Sequence, residues 1–177
     1  MKKIIALALS ALFIFSLAAC GGGTEPPAES TGDPTASSNP ASEDAFFFAP
    51  NGIRLTIGEH PEPSLTALGE AIHSFEVDSC AVDAKDITFH YPGFELTVTY
   101  PEQGEPYVTG IKLLDDTHAT PEGLFIGSPA EDIFAKYGEM EDNNGFFRYQ
   151  RGVSLLEFGV IDGEVRQILY GYDWDIE

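Results

Sequence analysis

A chain of 177 residues with 43% hydrophobic side chains has room for one ordinary domain or two small packed repeats, and it can build a core, which excludes wholesale disorder. Its net charge of −20 repels nucleic acid and anionic lipid surfaces, so nucleic-acid binding is excluded as a function class. Only two cysteines, Cys20 and Cys80, are present. The leader gives Cys20 another role, so no disulfide framework is expected.

The chain opens with the basic Met1-Lys2-Lys3, continues with residues 4–17, apolar apart from two serines, and reaches Leu17-Ala18-Ala19-Cys20. A membrane-spanning helix needs about 20 apolar residues. This shorter run reads as a signal peptide over residues 1–19. Leu-Ala-Ala-Cys resembles the bacterial lipobox. That resemblance implies cleavage before Cys20, a thioether-linked diacylglycerol on its sulfur, and anchoring to the outer face of a cell membrane. The alternative is an ordinary secretory signal with an incidental cysteine. Two or three acyl chains make a stable anchor where one is marginal. Without Lys2 and Lys3, seven basic residues stand against 29 acidic ones, or −22.

Residues 20–44 read as an acidic Gly/Pro/Ser/Thr tether. After Cys20 they contain no aromatic residue, no Ile, Leu or Val, and no basic residue. Such a segment cannot bury enough apolar area to offset the entropy of ordering. As a coil it would span on the order of 25–30 Å.

A single folded domain is expected over residues 45–177. Residues 45–49, Pro50-Asn51-Gly52 and residues 53–57 predict strand, hairpin turn and strand. Residues 61–72 predict a helix with Leu65, Leu68 and Ile72 on one face, which Gly69 ends or bends. Residues 74–86 read as a polar, irregular segment containing Cys80. Ile87, Phe89 and Tyr91, then Phe94, Leu96, Val98 and Tyr100, alternate with polar residues around the Pro92-Gly93 turn. A third strand is expected over residues 107–114.

A second pass begins at Thr120, with a short strand before Gly127. Ser128-Pro129-Ala130-Glu131 has the form of a capping box, followed by Ile133, Phe134 and Tyr137 on one helical face and a stop at Gly138. Strands are then expected over residues 146–150, 153–160 and 165–172. Both passes run strand, Ile-Gly, helix, Gly and three strands, with Ile57-Gly58 echoed by Ile126-Gly127. The expected fold is therefore α+β: two tandem repeats, residues 45–117 and 118–177, with the helices packed on one face of an antiparallel sheet.

The Ile-Gly, Ser-x-x-Glu/Asp, Tyr-Gly and aromatic-strand order resembles the tandem-repeat fold of the β-lactamase inhibitor protein and that of small outer-membrane-assembly lipoproteins. Ser79-Cys80-Ala81, residues 91–95 and residues 120–123 are similar to stretches of uncharacterised lipoproteins of Gram-positive, clostridia-like bacteria. In the inhibitor family the sheets of the two repeats form a concave aromatic surface that grips a partner protein. The chain departs from that family in lacking its disulfides and in its acidity, and no contact residue carries over.

No phosphate loop, nucleophile elbow, H-E-x-x-H or C-x-x-C occurs, so no catalytic residue and no cofactor is assigned. His60, His73, His90 and His118 are scattered and read as ordinary surface or strand histidines. Cys80 has no basic neighbour and reads as a buried structural thiol. The acidic clusters at Asp115-Asp116, residues 139–144 and Asp173/Asp175 fail the EF-hand pattern and read as solvated loops, so no metal site is assigned. Tyr170, Tyr172 and Trp174 share one face of the last strand, and Phe147 and Tyr149 are assigned to a neighbouring strand. Aromatic residues on a sheet face are either partner anchors or core beneath helices. The expectation is a lipid-anchored, extracytoplasmic, non-catalytic binding module for a protein partner in a Gram-positive envelope. The alternatives are an envelope glycan binder or hydrolase, and a cation-binding lipoprotein.

Overall fold

The computed structural model of the protein describes residues 45–175; the expected signal peptide, Cys20 and the tether lie outside the described residues. A short hairpin, β1 (Phe47–Phe48) with β2 (Leu55–Thr56), leads into helix α1 (Glu62–Leu68). Strands β3 (His73–Asp78), β4 (Ala84–Tyr91), β5 (Phe94–Pro101) and β6 (Tyr107–Leu113) follow. Helix α2 (Ala130–Tyr137) precedes β7 (Phe146–Arg151), β8 (Ser154–Ile161) and β9 (Glu164–Tyr172). All seven strands from β3 onward form one antiparallel sheet in the order β3-β4-β5-β6-β9-β8-β7. The fold is a mixed α+β arrangement in which two meanders meet through their last strands, β6 and β9.

Local chemistry explains the hairpins. Asp162 and Gly163 both take positive φ, 53° and 78°, the backbone of a tight turn whose twist matches the strands it joins. Two-residue alternation then gives the sheet two unlike faces. Leu96, Ile111, Leu156, Phe158, Ile168 and Tyr170 point to one face and are fully buried. Phe48, Leu55, Leu124 and Ile133 complete the same cluster, and Leu65 and Leu68 of α1 pack against it. Each large side chain buried there contributes roughly 1.5–3 kcal/mol. Both helices therefore cover one face. The other face is open and its polar groups are paired. Thr88 and Thr97 share a hydrogen bond of 3.0 Å, and the Thr99 hydroxyl donates to Asp86 at 2.6 Å.

The same contacts occur in both meanders. The Gly58 amide donates to the Val108 carbonyl of β6 at 2.8 Å, and the Val108 amide returns a bond to Glu59. The Gly127 amide donates to the Val165 carbonyl of β9, also at 2.8 Å, and the Val165 amide returns a bond to Ser128. Gly69 and Gly138 end the two helices, with amides bonded to Leu65 and Phe134. The Tyr91 hydroxyl donates to the Gly69 carbonyl and the Tyr149 hydroxyl to the Gly138 carbonyl.

Several expectations are corrected. The segment read as irregular holds β3 and the start of β4. No strand precedes Gly127, because residues 120–126 form turns held by Thr120 bonds to Gly123 and Leu124. Helix α1 stops at Leu68, with Gly69 ending it as expected, so Ile72 lies outside the helix. The capping box does not close: the Ser128 hydroxyl accepts from the Phe125 amide at 3.0 Å instead of capping α2. Cys80 is exposed, because its loop lies beyond the edge strand where nothing packs on it.

Candidate binding site

The five aromatic residues singled out in the sequence divide between core and surface. Phe147 meets Phe134 of α2 edge-on at 5.0 Å, and Tyr149 bonds the end of α2, so both are buried beneath that helix. Tyr170 is only 1% exposed, and its hydroxyl has no hydrogen-bond partner among the described residues. These three are core residues and cannot anchor a partner on the folded surface. Their face of the sheet is the one the helices occupy.

Tyr172, half-buried against the rim of the same core, and the exposed Trp174 lie at and just past the end of β9. The β6–β9 ladder covers only Gly110 to Lys112 on one strand and Leu169 to Gly171 on the other. Beyond it the end of β9 meets the start of β6. There Tyr107, Tyr172 and Trp174 form an aromatic cluster, with ring centroids 5.4 Å apart for Tyr107–Tyr172 and 4.8 Å for Tyr172–Trp174. Trp174 is 42% exposed.

Tyr107 also lines an open cleft of about 1330 Å³. One wall is α1 with the segment before it, Gly58 to His60 and Pro63, Ser64 and Ala67. The other is the β5–β6 loop, residues 101–106, with Val82 and Asp83 from the β3–β4 loop. After Pro101 ends β5, Gly104 and Pro106 keep that loop out of the ladder, since proline has no amide to donate and Gly104 takes φ 119°. The loop therefore stands away from α1 and leaves the cleft between them.

The cleft is acidic. Glu59, Asp83, Glu102 and Glu105 line it, against Arg54 and His60. Arg54 is already engaged, with its guanidinium 3.7 Å from the centre of the Phe47 ring. His60 stands 3.6 Å from Glu105. The buried Ser64 hydroxyl donates to Glu59 at 2.7 Å and holds that carboxylate in the wall. Burial, with Tyr172 and Asp86 nearby, pushes the Tyr107 phenol above its ordinary range. Mostly apolar walls with fixed carboxylates suit a ligand carrying both an apolar surface and positive charge.

The remaining candidates take structural places. His73 and His90 stack at 4.5 Å across β3 and β4, and His90 faces Glu95 at 3.4 Å. His118 bonds the Pro92 carbonyl and meets Phe48 and Phe94 edge-on. Asp115 accepts from the Thr117 amide and hydroxyl, which hold its carboxyl below the ordinary range. Asp142 accepts from the Gly145 amide, and Asp173 from the Asp175 amide. Among the described residues no three His, Cys, Asp or Glu side chains converge as a metal site would require, so the cation-binding alternative has no centre there. No helix among the described residues is long and apolar enough to cross a membrane.

Tyr107 and the cleft were not singled out by sequence reasoning. The one available signal was the Pro-Gly-Pro loop over residues 101–106. No protein family, no curated protein and no solved structure matches this chain.

Proposed function

We propose that the protein is a lipoprotein anchored through Cys20 to the outer face of a cell membrane, acting as a non-catalytic binding module for a protein partner. The cleft beside Tyr107 is the site, and the observation that carries this reading is the contact of Tyr107 with the half-buried Tyr172 and the exposed Trp174. Aromatic side chains at the mouth of an acid-lined cleft offer anchor area and a charge preference together. The partner segment it suits is basic and partly apolar.

The finer fold reading is two tandem repeats, residues 45–117 and 118–177, arranged as in the β-lactamase inhibitor protein. It is supported by the paired bonds of Gly58 and Gly127, and of Tyr91 and Tyr149. The resemblance of Ser79-Cys80-Ala81 and residues 91–95 and 120–123 to lipoproteins of Gram-positive bacteria supports an anchor in that kind of envelope.

A second reading, an envelope glycan, is favoured by Trp174 alone, since an exposed indole also suits the face of a sugar ring. Capture from detergent-solubilised envelope tests both readings, with the full chain as bait beside Trp174→Ala and Glu105→Lys variants. A captured protein that is lost with either variant, and released by salt, supports the proposal. Capture unchanged by both variants sinks the cleft as the site, and retention of isolated glycan in place of protein selects the second reading. Acyl labelling of the wild type and its absence in Cys20→Ser tests the anchor.

A further inference from the structure

Strand β3 is exposed along its whole length, and all six of its residues lie open to solvent. It is an edge: among the described residues β4 is its only neighbour. Its hydrogen-bonding phase is set at its end, where the Ser79 amide donates to the Ala84 carbonyl. In an antiparallel ladder alternate residues bond the same neighbour. His73, Phe75 and Val77 therefore bond β4, and the backbone amides and carbonyls of Ser74, Glu76 and Asp78 point away from the sheet. Phe75 and Val77, each 49% exposed, stand on the open face beside this free edge, and Ile72 precedes them at 64%. Apolar side chains on a free edge are what other sheet proteins blunt with lysine, proline or a covering element. Among the described residues none of these stands on β3, whose only charges are the acids Glu76 and Asp78.

We infer that β3 is a docking edge to which a basic, extended segment of a partner protein adds as an eighth strand. This inference rests on the reading that the partner is a protein. The occupant follows from charge. Residues 70–84 contain Glu70, Glu76, Asp78 and Asp83 and no lysine or arginine. The one cation on the neighbouring strand, Lys85, is bound by Glu76 and Asp78. A segment that alternates apolar with basic residues places its apolar side chains against Phe75 and Val77 and its charges beside Glu76 and Asp78. Its main chain bonds Ser74, Glu76 and Asp78. The chain's own residues 21–44 do not fit, having neither apolar strand residues nor basic ones. A second copy carries the same net charge of −20. The arginines of its β7 are engaged in their own chain, Arg148 with Glu157 and Arg151 over the Phe46 ring.

The test uses the full chain and three synthetic probes: a peptide alternating lysine with valine, the same peptide methylated at alternate backbone nitrogens, and a glutamate–valine counterpart. The first is expected to bind and to be released by salt; methylation, which keeps the charge but blocks pairing, weakens binding roughly tenfold or more. Ser74→Pro removes one outward amide without touching the β4 ladder or the charge, and is expected to weaken binding as much. In hydrogen exchange the amides of Ser74, Glu76 and Asp78 gain protection with the peptide bound. Equal binding of the methylated peptide, or protection gained around Gly58 and residues 101–107 instead, overturns the inference. The second result leaves the cleft reading standing. Self-association of the chain that strengthens with salt and is lost in Ser74→Pro also overturns it, because β3 would then be occupied by a copy. Loss of envelope capture by the Trp174→Ala variant, with no peptide bound at β3, removes this inference alone.

Discussion

Gly110 of β6 lies directly opposite Gly171 of β9 where the two meanders join. An added Cβ at Gly110 would touch Thr97 at 3.4 Å, whereas one at Gly171 would meet nothing. The open face is thus hollow along its central seam, and the hollow at Gly171 is not demanded by packing.

Gly171→Ala is therefore expected to stabilise the protein by about 0.5–1 kcal/mol, because the chain loses less freedom on folding and the backbone there is already extended. Gly145→Ala is expected to cost at least about 1 kcal/mol. Its φ is 85°, and the new Cβ would stand 2.8 Å from the Val160 carbonyl oxygen. Urea midpoints of the two variants should move in opposite directions.

Tyr170 carries a buried phenol with no hydrogen-bond partner among the described residues. A buried unpaired hydroxyl forfeits its hydration for nothing. Tyr170→Phe keeps the ring between Phe48 and its neighbours and is expected to leave stability unchanged or raise it by up to about 1 kcal/mol. A loss above about 1 kcal/mol in chemical denaturation would contradict this account.

Tyr137 is held well above the ordinary tyrosine range, first by burial and then by donation to Glu122. In the unfolded chain a phenol titrates near pH 10. The sign follows: the folded state keeps its proton while the unfolded state loses it. The contribution to stability is fully present below about pH 10 and is lost as pH rises toward the folded value. Melting temperature should fall steeply above about pH 10, and the fall should be shallower in Tyr137→Phe. Tyr91, Tyr100, Tyr149 and Tyr170 shift in the same direction, so some slope remains in that variant.

Trp174 is the only tryptophan, and it stands beside Tyr172 and against Tyr107, which lines the cleft. Its fluorescence is expected to shift when a ligand enters the cleft and to stay unchanged when a peptide pairs with β3. A shift in the second case would show that the two surfaces are not separate. Trp174→Ala, with its side chain partly in solvent, should change the urea midpoint little while weakening capture of the partner.

Much of the architecture is legible in the sequence because it depends on neighbours in the chain. Phe94 to Tyr100 alternates with a period of two, and Asp162-Gly163 has a backbone for one kind of turn. Ile133, Phe134 and Tyr137 are spaced for one helical face. Strand β3 escaped this reading for a physical reason. It is open on both faces, its alternation is only the two apolar residues Phe75 and Val77 among polar ones, and its extended form depends on the ladder with β4. Ser128 misled because its hydroxyl found the Phe125 amide before α2 could use it.

By itself the sequence determined the strands other than β3 with their turns, the two helices, the acidity, and the recurrence of Ile-Gly before each helix. Tertiary structure alone decided that Tyr170, Phe147 and Tyr149 face inward while Trp174 faces solvent. Alternation says that residues share a face, but only pairing with a distant strand says which face the helices cover. The join of β6 to β9 makes that choice, bringing Tyr107 to Trp174 across 67 positions of chain. No local rule connects such residues, and the contact exists only once the sheet has closed.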